Sequence, residues 1–253
     1  MMDLHVHTRF SRDSDAKMEG YVNRAVEIGL KTVCFTDHVD YNPNDYGYRF
    51  YQPEAFFEHF YAVRSACREN LDLYAGIEFG DPHLYADELA ALSQLPYDFV
   101  IGSIHWVGNL FPCQKVRQQY SAKEFYTMYW DEVLKTVRHG GFDTLGHIDF
   151  PKRYYQEVYY QDAKLKEIFE YLLDRGGVLE INTSSMRKGY FEPMPGDDLL
   201  QLYKAVGGKY VTIGSDAHVP DDLGADYTAA AQMAVKLELQ QVMFKERKMR
   251  IVG

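Results

Sequence analysis

The chain has 253 residues, 46% of them hydrophobic and 25% charged, with a formal net charge of −10. That length is near the size of one β/α barrel and long enough to bury a full core. The acidity argues against nucleic-acid binding, which needs clustered Lys and Arg, and no apolar run approaches the length of a membrane span. The first predicted strand ends on His5-Val6-His7. Residues two apart on a strand point the same way, so this pair is a usable metal clamp. Asp13, in the polar loop that follows, can fold back over the strand end. Tyr21, Val22, Ala25, Val26 and Ile28 then give a helical stripe that ends near Gly29. The second strand (32–38) contains Cys34 and ends on Asp37-His38. A long loop over 39–52 precedes a helix predicted from Pro53 to about Asn70.

The third strand ends on Glu78, whose two oxygens can bridge two cations. Asp81-Pro82 reads as the N-cap and first residue of a helix. The fourth strand ends on His105. A second long loop (106–120) leads to Ser121-x-x-Glu124, a capping box for a helix through Val137. The fifth strand ends on His147, and a helix is expected over 162–175. Strand 178–182 and helix 197–205 follow. The seventh strand runs into Asp216-Ala217-His218, and a helix covers roughly 226–237. The tail from Gln240 to Val252 alternates loosely, as a terminal hairpin or short strand would. Three sparse cysteines (Cys34, Cys67, Cys113) without CxxC spacing argue against a disulfide framework. With no leader ahead of the first strand, they predict a cytoplasmic protein.

Six of the nine histidines thus fall at the C-terminal ends of predicted strands. Apolar packing at a barrel rim would favour Val or Ile there. Alternating strands and helices predict a parallel sheet with right-handed crossovers. A closed ring suits polar ends on nearly every strand better than an open doubly wound sheet, which concentrates its site at one switch point. The reading is one domain over residues 1–253, a β/α barrel with a multinuclear metal site at its mouth. His59, His83 and His139 lie on or beside helices and read as surface residues. Arg153 and Arg187 follow strands five and six on the active face, and their planar forks suit phosphate. Trp106 and Tyr154, with Tyr41, Tyr48 and Phe191, are candidate aromatic contacts for a substrate. Asp37, Asp149 and Glu180 are candidates to anchor ligand imidazoles.

The stretches HVHTRFSRD (5–13), FTDH (35–38), GIE (76–78), GSIH (102–105), GHID (146–149) and GSDAH (214–218) resemble, in this order, the motifs of the polymerase and histidinol phosphatase (PHP) superfamily. The resemblance implies a distorted (β/α)7 TIM-like barrel with three divalent metal ions, iron, manganese or zinc. One would take His5, His7, Glu78 and Asp216. A second would share Glu78 and add His105 and His147. A third would take Asp13, His38 and His218. Many members carry histidine where this chain has Asp13, and an oxygen ligand there favours iron or manganese. DFPKRY (149–154) and NTSSMRKG (182–189) are similar to the histidinol-phosphate phosphatase branch. That implies hydrolysis of L-histidinol phosphate to L-histidinol and phosphate, by a metal-bridging hydroxide attacking phosphorus. Arg153, Arg187, Asp216 and His218 would serve catalysis, and Arg153, Arg187, Trp106 and Tyr154 would contact the substrate. The partner would be a small phosphomonoester, with neither nucleic acid nor membrane. The alternative on this scaffold is another monoester, such as a nucleotide or phosphotyrosine. A metal-loaded accessory protein and a carbon–nitrogen hydrolase are further rivals. The hydrolase would need a bridging lysine, which has no place at a strand end here.

Overall fold

A computed structural model describes residues 1–67 and 70–252. Seven strands run parallel and in sequence order: β1 (Met2–Val6), β2 (Thr32–Val39), β3 (Asp72–Gly80), β4 (Phe99–Ser103), β5 (Thr144–Leu145), β6 (Val178–Asn182) and β7 (Tyr210–Gly214). Their residues are almost all buried, as expected of a parallel sheet covered on both faces. The ring closes between β1 and β7 through the Val6–Ala217 bridge, with Asp216 N–H donating to the His5 carbonyl at 2.8 Å. β5 has two residues, so the barrel is pinched on that side.

The helices are α1 (Met18–Ile28), α2 (Pro53–Ala66), α3 (Ala86–Leu92), α4 (Gln114–Arg117), α5 (Ala122–His139), α6 (Lys152–Tyr155), α7 (Asp162–Asp174), α8 (Ser184–Arg187), α9 (Asp197–Ala205) and α10 (Tyr227–Lys236). Gly29 ends α1 in the left-handed conformation, where a side chain is disfavoured. Ser121 and Glu124 form the expected reciprocal cap on α5. Large rings fill the space between helices and barrel: Trp130, Tyr126, Phe125 and Phe169 on one side, and Phe35, Phe56, Phe60 and Phe79 on the other.

Period-two alternation sorts the inward faces. β2 turns Cys34, Thr36 and His38 to one face, β3 Tyr74, Gly76 and Glu78, and β4 Phe99, Ile101 and Ser103. Cys34, Tyr74, Phe99, Ile101 and Val178 pack together with Met2 and Leu4 as an apolar floor. The same faces therefore become polar toward the C-terminal ends of the strands. A terminal hairpin, β8 (Gln240–Lys245) and β9 (Lys248–Ile251), closes the floor. Phe244 stacks on Phe99 at 5.4 Å, and Arg247 Nε donates to Asp143 at 2.5 Å. No helix among the described residues is long and apolar enough to cross a membrane.

The sequence misplaces one helix start. Asp81 does not cap a helix; it sits in the left-handed region (φ +53°), and α3 begins at Ala86. The Asp81 carboxylate is drawn inward instead, where it accepts from the backbone N–H of His105 at 3.3 Å and of Trp106 at 3.4 Å. The expected extension of α2 to Asn70 crosses residues 68–69, outside the described residues. The tail is the hairpin, not a lone strand.

Candidate metal centre

Glu78 is fully buried at the centre of the mouth, one strand over from His38, its register partner. Its Oε2 lies 3.2 Å from His5 Nε2, 3.5 Å from His7 Nε2 and 2.9 Å from His38 Nδ1. Its Oε1 lies 2.8 Å from His147 Nε2 and 3.4 Å from His105 Nε2, and it accepts from Ser103 Oγ at 2.6 Å. Asp216 Oδ1 is 3.3 Å from His7 Nε2 and 3.5 Å from His218 Nδ1. Asp13, at the rim, places Oδ2 3.1 Å from His218 Nε2 and 3.6 Å from His38 Nε2. All nine predicted ligand residues therefore meet around one point. Asp216 adopts φ +57°, a left-handed turn that Asp tolerates better than most residues.

This close approach depends on small residues between strands. A Cβ on Gly214 would lie 2.3 Å from His5 Cβ, so only glycine lets β7 pass β1 at the ligand pair. Its φ is unremarkable; space is what it provides.

Hydrogen bonds behind the rings fix which nitrogen faces the centre. His5 Nδ1–H donates to Glu180 Oε1 at 2.6 Å. Ser11 donates its hydroxyl to Asp37 at 2.8 Å, so it receives the Nδ1–H of His7, at 3.1 Å. His218 Nδ1–H donates to the Asp216 carbonyl at 3.0 Å. Each of these rings turns Nε2 to the cavity as a lone-pair donor. His105 Nδ1 faces Asp40 at 3.7 Å. Sequence reasoning missed Ser11 and Asp40. Asp37 acts through Ser11, and among the described residues Asp149 makes no side-chain hydrogen bond.

Burial opposes charge on His5, yet Glu180 and Glu78 outweigh it and raise its pKa well above the ordinary imidazole value. His7, equally buried and repelled by His38 and His218, is pushed well below that value. Burial would raise Glu78, but His5 and His38 hold it well below the usual carboxylate range. Protons on imidazoles thus balance the carboxylates, and cations would replace those protons.

The donor set fits divalent cations. His5 Nε2, His7 Nε2, His38 Nδ1 and Glu78 Oε2 are buried and make no hydrogen bond among the described residues. Such orphaned donors are costly unless an ion satisfies them. Three triads each bring one donor atom per residue within 4.8 Å: His7/His38/His218, His5/His7/Asp216 and His38/Glu78/His105. His7 and His38 are each common to two triads.

The centre opens into a cleft of about 640 Å³ that Arg153, Arg187 and Tyr154 also line. Arg153 donates to Asp216 Oδ2, and to Ser184 Oγ at 2.5 Å. Arg187 donates to the Ser215 carbonyl at 2.7 Å and pairs with Asp222 at 3.2 Å; its buried Nη1 makes no hydrogen bond among the described residues. Trp106 is placed differently from expectation. It does not line the cleft, and its indole N–H donates to Asp45 at 2.8 Å. Tyr41, Tyr48 and Phe191 do not line it either, and Phe191 is wholly exposed. His83 bridges Thr136 and Glu132, each at 2.7 Å, remote from the centre.

The chain is 30% identical to a probable histidinol-phosphatase of Clostridium acetobutylicum, over 99% of each chain. It is 28% identical to another from Thermotoga maritima, covering 88% of this chain and 87% of that one. Its fold matches the crystal structure of histidinol phosphate phosphatase from Lactococcus lactis, complexed with zinc, L-histidinol and phosphate. The TM-score is 0.88 at 25% identity, over 98% of each chain. The PHP domain family model matches residues 3–184, a span that holds seven of the nine donors gathered at the mouth, and the chain belongs to the PHP family.

Proposed function

We propose that this chain is a metal-dependent phosphomonoesterase that hydrolyses L-histidinol phosphate to L-histidinol and phosphate. The observation that carries the reading is the likeness, over nearly all of both chains, to an enzyme whose complex holds zinc and both of these products. The donor set supports it. His5, His7, Glu78 and Asp216 would hold one divalent cation, Glu78 with His105 and His147 a second, and Asp13, His38 and His218 a third. When bound, such cations neutralise phosphoryl charge and lower the pKa of a coordinated water to about 7.

The chain's own residues supply the rest. Arg153 and Arg187 lie where planar forks can grip phosphoryl oxygens. Ser215 and Asp222 hold the Arg187 guanidinium in place before substrate arrives. Glu180 and Ser11 hold His5 and His7 in the tautomer that presents Nε2. Tyr154, Phe111 and Phe150 form an apolar wall beside the arginines that displaces water from the bound ester.

The test is phosphate release from L-histidinol phosphate by metal-loaded protein, beside phosphotyrosine and a nucleoside monophosphate. A rate on L-histidinol phosphate at least about tenfold above both supports the assignment. Comparable rates on all three leave only a general phosphomonoesterase.

A further inference from the structure

The two cleft arginines sit on separate short segments, Arg153 on α6 after β5 and Arg187 on α8 after β6. Each helix has four residues and is too short to hold its own shape in water. Residues 183–193 leave the barrel between Asn182 and Met194, which exchange two backbone hydrogen bonds of 2.8 Å. Within this excursion Ser185 Oγ donates to the Glu192 carbonyl at 2.7 Å, so Glu192 is tied to α8. The Glu192 carboxylate reaches across to the other segment, where it accepts from Lys152 Nζ at 2.5 Å. Lys152 directly precedes Arg153 and is 6% exposed. Its ammonium has a second anionic neighbour, the buried Asp149, whose Oδ2 lies 3.9 Å away. Asp149, Lys152 and Glu192 all stand outside the lining of the cleft. A Cβ on Gly196 would lie 2.5 Å from Glu192 Cδ, so glycine there leaves room for the carboxylate.

We propose that the Lys152–Glu192 ion pair is a clasp that holds the Arg187 segment against the Arg153 segment, so that both guanidiniums meet one phosphate group. Lys152 and Glu192 are positioning residues, and they act through Arg187. The inference rests on the reading of the cleft as a phosphomonoesterase site, but not on which ester is cleaved. Lys152 is not itself a phosphate ligand, because its ammonium is turned to the two carboxylates outside the cleft. Stability alone is the poorer account of the pair. Replacing a buried ion pair by apolar side chains is often neutral or stabilising, so a charge kept at Lys152 points to geometry. The pair also joins residues 40 apart in sequence, across the gap between two segments that must agree in position to grip one anion.

The experiment measures inhibition by inorganic phosphate, a probe of the phosphate grip alone, while metal-loaded protein hydrolyses p-nitrophenyl phosphate. It compares wild type, Glu192→Ala, Arg187→Ala and the double variant. Glu192→Ala should raise the phosphate inhibition constant about tenfold, with metal content by elemental analysis at the wild-type value. Added to Arg187→Ala, it should change that constant by less than about twofold, because its effect runs through the missing guanidinium. A residue that only supports the fold lowers Tm without this dependence on Arg187. Lys152→Met should match Glu192→Ala, and the half-buried Glu192 carries the test if Lys152→Met does not fold. Wild-type inhibition in Glu192→Ala, or a loss that multiplies in full onto that of Arg187→Ala, overturns the clasp. Inhibition left unchanged by Arg187→Ala overturns it too. A wild type that cleaves p-nitrophenyl phosphate but not L-histidinol phosphate refutes the substrate assignment and leaves the clasp standing. A wild type that cleaves neither ester ends the phosphomonoesterase reading, and this inference with it.

Discussion

Glu180→Gln changes one atom and should disable a metal ligand that Glu180 never touches through a cation. The buried carboxylate accepts three bonds: His5 Nδ1 at 2.6 Å, His147 N at 2.8 Å and Asn182 Nδ2 at 3.2 Å. A glutamine must turn its NH2 to one side. Facing His147 N and Asn182 Nδ2 sets donor against two donors, so the amide NH2 should turn to His5. Nδ1 of His5 must then accept, its proton moves to Nε2, and the nitrogen facing Glu78 loses its lone pair. Losing such a supporting partner weakens metal binding about 10- to 100-fold, or about 1.4–2.7 kcal/mol. Competition against a chelator of known affinity measures this, with metal counted per chain after equilibration. Wild-type affinity in Glu180→Gln would refute the tautomer argument. Glu180→Ala, which takes the acceptor from His5 Nδ1–H and from the His147 N–H, should lose stability as well as metal.

Arg187→Ala should raise KM for L-histidinol phosphate by about 10- to 100-fold, the loss of a charge-assisted bond, while metal content by elemental analysis stays at the wild-type value. Gly214→Ala should force β1 and β7 apart, given the 2.3 Å approach to His5 Cβ, and cost about 1–3 kcal/mol in urea unfolding together with metal. Trp130→Ala empties a fully buried site and frees the Tyr159 carbonyl from its indole partner. It should cost about 3–5 kcal/mol and lower Tm by about 6–20 °C by calorimetry, with activity retained at low temperature. Removing metal should itself lower Tm, since cations bind the folded site alone, and readdition should restore it.

Much of the barrel and its mouth could be read from the sequence for one physical reason. A strand buried on both faces is a continuous apolar run, so a His, Asp or Glu at its end stands out. Strand 178–182 and helix 197–205 were bounded by sharp changes of pattern and lie where expected. Asp81 shows the limit. Asp-Pro ahead of a helical stripe has the local chemistry of a cap, yet the backbone N–H groups of His105 and Trp106 compete for the same carboxylate from another strand. Ser11 and Asp40 were invisible for a similar reason: a serine in a polar loop and an aspartate after a strand carry no signal until folding sets them behind His7 and His105. Trp106 followed a strand end, as a substrate contact would, but its N–H found Asp45 instead. Glu180 was legible because a carboxylate inside an apolar strand needs a partner.

The central claim is that cations gathered around Glu78 make this barrel a histidinol-phosphate phosphatase. The most direct measurement follows phosphate release from L-histidinol phosphate by one preparation in three states: as purified with its metals counted, after chelation, and after divalent metal is restored. Activity that disappears with the metals and returns with them is the predicted result. Metal-replete protein that leaves L-histidinol phosphate intact, or chelated protein that still cleaves it, would contradict the account.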